Sequence, residues 1–424
     1  MHSAVLHSKG DSTAGTASRT TRLSRLHPYP AMVADELASD LAQRYVRGGH
    51  KVVDPFCGSG RLLAASAEIS RRCVGIDTNP LAWLLSSAKF AKADIRVLQS
   101  VLAKMRNELR CISSPSFEVL GHRKVDWFSA SALRELSKIV HWMNRAQFNE
   151  AEKLIMAACL SAATWDASFA SKRGWKLHRL DPHRRTEADT HAIGYFEKRL
   201  RYCIRDMQNR ELRGRANIIL SDARNLLNPH RVAGLGRTKF DIVITSPPYG
   251  DSRTTVQYGA ASSLCLAFAC RIGGLEHLND EGRKIDRRCL GGSSAETDDI
   301  IDTQDVRRYW CGKSQTILGQ RVRVFLSDYR DTCDGIAKIL TVGGKAIFVV
   351  GRRSTGSHRL KLDSFTKDCL EIRGLKIVHE EERKLLSKRL PRHINRFGAA
   401  QSSTVREKGL TPTIARETIL VFEK

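Results

Sequence analysis

Thr245-Ser246-Pro247-Pro248-Tyr249-Gly250 closes a short apolar run, Phe240 to Ile244, that reads as a buried strand. The paired prolines end that strand abruptly, since proline lacks an N–H and fixes φ. The stiff corner groups the Ser246 hydroxyl, the Pro247 carbonyl and the Tyr249 ring. Two acceptors beside an aromatic face can hold an exocyclic amino group by its N–H bonds while the ring stacks on the attached base. Taken alone, the same six residues also read as an ordinary turn after a core strand.

The surroundings favour a ligand-binding corner. Val52 and Val53 lie in a short strand that leads into Asp54-Pro55-Phe56-Cys57-Gly58-Ser59-Gly60, after which a helix resumes at Arg61. Glycines between a strand and a helix let a ligand approach the backbone, and the helix N-terminus offers unpaired N–H groups to an anion. Cys73-Val74-Gly75-Ile76-Asp77 is a second strand ending in an acid, spaced to bind ribose hydroxyls in nucleotide-type folds. A solvent-exposed acid at a strand end is the alternative. Asn79-Pro80 opens the next helix, through Lys89.

Further strands are expected at Asn217–Leu220, Asp241–Thr245, Ala346–Val350, Leu375–His379 and Thr418–Phe422, the last two as a closing pair with one antiparallel member. Seven strands with helices between the early ones predict a doubly wound α/β sheet, which binds ligands outside the carboxyl ends of its strands. The glycine turn, Asp77, Asp222 and the Ser246 corner all follow strands at such ends.

The 424 residues carry 70 Lys and Arg against 45 Asp and Glu, a net charge of +25 that points to a polyanionic partner, nucleic acid first. The 11 cysteines show no C-x-x-C spacing and read as reduced thiols of a cytoplasmic protein, with no metal site expected. No apolar run approaches the roughly 20 residues that span a bilayer. Residues 1–25 read as a disordered basic tail, with a nucleic-acid arm or a transit peptide as alternatives.

Residues 91–215 read as a helical insertion with amphipathic stretches at Glu150–Thr164 and Ala192–Met207. Between Ser171 and Arg215, 13 Lys or Arg face 6 Asp or Glu, with Trp175, Tyr195 and Tyr202 interleaved, so the insertion reads either as a DNA-contacting surface or as solvated basic faces. Residues 251–320 read as a loop subdomain over the site. Residues 26–90 and 216–424 are then the catalytic domain.

His27-Pro28-Tyr29-Pro30, D-P-F-C-G-S-G, G-I-D-T-N-P and S-P-P-Y, in that order, resemble the amino-group DNA methyltransferases. The likeness is strongest to the cytosine-N4 modification methylases of restriction–modification systems, which show T-S-P-P-Y where adenine-N6 enzymes more often carry D-P-P-Y or N-P-P-Y. Gly250 to Thr255, Tyr258-Gly259, Gly343-Gly344 and Lys388-Arg389-Leu390-Pro391 extend it. Arg61 departs from the family, which often carries Thr there.

The resemblance implies a Rossmann-like methyltransferase fold, S-adenosyl-L-methionine as cofactor and double-stranded DNA as substrate, paired functionally with a restriction endonuclease. It implies that Tyr29, Asp54, Phe56, Gly58 and Gly60 border the cofactor's methionine part. Asp77 would bind its ribose and Asp222 its adenine amino group. Ser246 and Pro247 would hold the target amino group, Pro248 would stiffen the corner, and Tyr249 would stack on the flipped base. Adenine-N6 methylation, RNA guanine-N2 methylation and a silent DNA-binding relic are the other readings.

Overall fold

The computed structural model describes residues 21–113, 122–172, 176–186, 190–210, 212–251, 257–292, 303–310, 317–351, 353–355, 358–384, 393–395, 410–412 and 416–424. The seven expected strands form one sheet: β1 (Lys51–Asp54), β2 (Arg72–Asp77), β3 (Arg215–Leu220), β4 (Phe240–Thr245), β5 (Leu340–Gly351), β6 (Lys376–Lys384) and β7 (Arg416–Glu423), in the order β3-β2-β1-β4-β5-β7-β6. β1 to β5 pair in parallel, and β7 runs antiparallel to both β5 and β6. The chain leaves β1 toward β2 and β3, then returns to β4 on the other side of β1. That reversal is the switch point at which such sheets open a crevice.

Strand periodicity sorts the core into two faces. Val52, Ile242, Ile244, Ile347 and Val349 pack with Leu37 and Leu41 of α1 (Asp35–Tyr45) and Leu62 and Leu63 of α2 (Arg61–Ala67). Val53, Val243, Phe348 and Val350 point the other way, onto Phe325 and Tyr329 of α9 (Ile317–Ile339) and Phe365 of α10 (Leu362–Glu371). Successive strand residues face opposite sides, so one β-branched run serves both cores.

A third core lies in a helical layer built on α3 (Pro80–Phe90), with α4 (Ile95–Arg110), α5 (Ala130–Arg145), α6 (Glu150–Ala167), α7 (Ala192–Asn209) and α8 (Tyr258–Ala269). Local signals start these helices. Asn79 accepts from Leu81 N with Pro80 at the first position, and Asn149 and Glu152 form a reciprocal capping box.

Three expectations change here. α6 is not amphipathic, because Ile155 to Ala163 is buried on every side as the layer's central helix. A helix apolar all round loses the 3.6-residue alternation that marks a surface helix. Residues 251–320 are likewise not simply a loop: α8 is buried along its length in the same core. The tail boundary at residue 25 also moves. Thr21 to Ser24 are buried, held by Thr21 to Asp35, Leu23 N to Asp206 (2.7 Å) and the buried Lys89 ammonium to Leu23 O (2.9 Å). Residues 1–20, Trp175 and Lys388 to Pro391 lie outside the described residues. No helix among those described is long and apolar enough to cross a membrane.

Candidate active site

β1 and β4 are neighbours, so their two following loops start side by side. The contact between them is direct: Thr245 Oγ1 donates to Asp54 Oδ1 at 2.6 Å, and Phe56 N donates to the same oxygen at 3.0 Å. Asp54 is 1 % exposed, and burial pushes its carboxyl up to about 7 against those two donors. It therefore acts as a bolt between the loops and offers no open surface of its own.

The glycine turn is fastened to β2 in the same way. Gly58 N donates to Asp77 Oδ2 and Asn79 N to Asp77 Oδ1, both at 2.8 Å. Burial raises the Asp77 carboxyl to about 6, opposed by these backbone donors. The Thr78 backbone adds to these two donors, and a carboxylate with about four acceptor sites still keeps a lone pair on this half-buried group. Gly58 and Gly60 have φ of 50° and 76°, a region that costs side-chain-bearing residues energy. At Gly60 a Cβ would also sit 2.8 Å from Ser86 Oγ, whose hydroxyl donates to Gly58 O at 2.7 Å. Phe56 is half-buried at the turn. Tyr29 is buried behind it, its hydroxyl receiving Asn79 Nδ2 at 3.2 Å, and the same amide reaches Ser262 of α8 at 2.9 Å.

At the corner, Pro247 is buried while Ser246, Pro248 and Tyr249 are half-buried. Tyr249 OH donates to Glu417 Oε1 at 3.1 Å and lies 3.1 Å from Ser246 Oγ. With the Tyr249 proton given to Glu417, the Ser246 hydroxyl donates to the Tyr249 oxygen. Its lone pairs are then left to accept from another N–H. Burial and the neighbouring Glu417 push the Tyr249 phenol well above its ordinary range, so it stays protonated.

The structure thus brings Asp54, Phe56, Gly58, Gly60, Asp77 and the Ser246–Tyr249 corner to one rim, with Tyr29 as backing. Asp222 lies on the same rim but is otherwise engaged. Arg224 meets both its oxygens through N, Nε and Nη2 at 2.6–3.1 Å, and extends Nη1 to Asp328 at 2.7 Å. Three N–H groups of Arg224 thus occupy most of this carboxylate's roughly four acceptor sites, so the expected contact with an adenine amino group would compete with a side chain already held there.

Sequence reading missed Glu417, which arrives from the far end of the chain, and the role of Arg61. Arg61 donates to Val33 O (2.8 Å) and Ser24 O (3.1 Å) and sits 3.6 Å from Asp35, so it straps the chain on both sides of Tyr29 onto α2. In the helical layer, Arg106 pairs with Glu197, Arg199 with Asp166 and Arg210 with Asp206. Part of the basic excess there is neutralised internally. A separate cavity of about 390 Å³ opens where that layer meets the start of α8, lined by Lys124, Trp127, Gln257, Ser263, Arg283 and Asp286.

Residues 4–83 match a family model, N6/N4 methyltransferase, described as DNA methylase. The type II methyltransferase M.MvaI of Kocuria varians is 26% identical over 400 residues, spanning 87% of this chain and 85% of that protein. M.MjaII of Methanocaldococcus jannaschii, also a type II methyltransferase, is 32% identical over 92 residues, 22% of this chain and 17% of its own. Among solved structures, the rRNA methyltransferase AviRa of Streptomyces viridochromogenes aligns over 94% of this chain and 88% of its own, at 11% identity and a TM-score of 0.34. TrmN from Thermus thermophilus aligns over 92% and 48%, at 11% identity and a TM-score of 0.30.

Proposed function

Since the chain belongs to the amino-group DNA methyltransferases, which take S-adenosyl-L-methionine, we propose that it methylates the exocyclic N4 of cytosine in a specific duplex sequence, as the modification partner of a restriction endonuclease. The observation that carries this is the Ser246 corner bolted to the glycine turn through Thr245 and Asp54. Serine in place of the Asp or Asn of most adenine-N6 enzymes supports cytosine.

The residues at the rim fit the cofactor chemically. Asp77 offers carboxylate lone pairs for a vicinal diol, and Gly58 and Gly60 present backbone without side chains. The half-buried Phe56 ring offers a π face, which suits a cation. When bound, the cofactor supplies an electrophilic methyl group. The chain's own task is the nucleophile. An aromatic amino nitrogen delocalises its lone pair into the ring and reacts poorly. Ser246 Oγ and the Pro247 carbonyl, accepting its two N–H bonds, would favour a pyramidal nitrogen with its lone pair directed outward. Such placement can contribute roughly 7–11 kcal/mol.

The base must leave the stack to reach the corner, at a cost of about a few kcal/mol. Tyr249 would receive it face-on. Phosphate contacts from the basic surface offset that cost. The helical layer supplies part of that surface, and the cavity holding Lys124, Arg283 and Trp127 is suited to a phosphate beside a base.

Duplex DNA incubated with methyl-labelled cofactor, then digested to nucleosides, tests the reading. N4-methylcytosine is expected. Recovery of N6-methyladenine alone would move the reading to adenine, and absence of label would remove it. Ser246→Ala should lose most turnover while binding cofactor and DNA.

A further inference from the structure

We infer that Glu417 is the terminal acceptor of the proton released on methyl transfer, reached through Ser246 and Tyr249. This rests on the amino-methylation reading above. β7 is the sheet's one antiparallel strand, so its first residues, not its last, stand at the rim where β1 to β5 end. Glu417 pairs in register with Gly351 at the end of β5, and Arg383 of β6 stands opposite on its other side. This carboxylate comes from far along the chain: 168 positions separate Tyr249 from Glu417.

An ionised carboxylate only accepts and a phenol has one proton, which sets the direction of each hydrogen bond. Tyr249 gives its proton to Glu417 at 3.1 Å, and Ser246 gives its own to Tyr249 at 3.1 Å. The Ser246 lone pairs then face the substrate side. When the target nitrogen forms its bond to the methyl carbon, the donor's carbon–sulfur bond breaks and sulfur keeps the electron pair. The nitrogen becomes positive and must shed one proton. That proton passes to Ser246 Oγ as the Ser246 proton moves to the Tyr249 oxygen and the Tyr249 proton moves to Glu417. The end state is a neutral methylated amine, unchanged Ser246 and Tyr249, and a neutral Glu417 carboxyl. Glu417 is half-buried, so it retains solvent contact through which to return the proton.

Glu417→Gln separates this role from simple support, because the amide oxygen still accepts from Tyr249 but cannot take up a proton. Single-turnover methylation should slow at least about a hundredfold in Glu417→Gln, the lower range for a positioned proton acceptor. Its cofactor and DNA dissociation constants and its melting curve should match the parent's. Tyr249→Phe, which breaks the chain without touching β7, should slow transfer similarly. The double variant should be no slower than either single one, as expected of residues acting as one unit. Parental rates in Glu417→Gln, a loss confined to binding, or multiplied losses in the double variant would overturn the inference while leaving the methylation reading intact. A wild-type chain that methylates neither cytosine nor adenine would fell both.

Discussion

Thr245→Val removes one hydroxyl and keeps a side chain of similar size on β4. The lost contact is the 2.6 Å bond to Asp54, a carboxylate buried to 1 % exposure whose remaining donor there is Phe56 N. A hydrogen bond to a charged group contributes about 1.5–3 kcal/mol, and one to a neutral group about 1. Asp54 titrates at about 7 in the fold against an ordinary 3.8, with burial the main cause and Thr245 pulling the other way. Because the folded value is raised, the stability Asp54 contributes is fully present below its ordinary value and is lost as pH rises through about 7. Removing Thr245 raises that carboxyl further, so the variant's deficit must grow with pH. We expect a cost of about 1 kcal/mol near pH 5.5 and about 2–3 kcal/mol near pH 8.5, read from urea midpoints at unchanged m-value. In an Asp54→Asn background the pH dependence of that cost should vanish. A cost identical at both pH values, or below about 0.5 kcal/mol at the higher one, would refute the bolt between the two loops.

Gly60→Ala combines a φ of 76° with a Cβ placed 2.8 Å from Ser86 Oγ, so it should lower stability by at least about 2 kcal/mol, checked by thermal melting. Asp77→Ala removes the acceptor for Gly58 N and the proposed diol contact. Calorimetry should show cofactor affinity falling at least about tenfold, and unchanged affinity would contradict the assignment. Arg61→Ala releases Ser24 and Val33 and leaves Asp35 without its cation, so proteolysis should cut faster between residues 21 and 34, with cleavage mapped by mass spectrometry.

Much of the site was legible in the sequence because its pieces are local. Val52-Val53, Ile76-Asp77 and Phe240 to Thr245 announce strands by β-branched runs ended by turn residues. Gly58 and Gly60 announce a turn that only glycine accepts comfortably. Once a parallel sheet is expected, those loops must share the carboxyl rim, and the Thr245–Asp54 contact places them there. The buried α6 and α8 were read less well, since uniform burial erases the alternation on which a helix assignment depends.

The chain's own order of residues therefore determined seven strands, the two loops that meet and the chemistry gathered in them. Folding in three dimensions decided which of those groups remain available. Asp54 is spent joining two loops, Asp222 is held by Arg224, and the Tyr249 hydroxyl beside Ser246 is taken by a glutamate from the last strand. The reason is that β7 inserts between β5 and β6, an arrangement set by how the faces of the strands pack and not by anything adjacent to Glu417 in the chain.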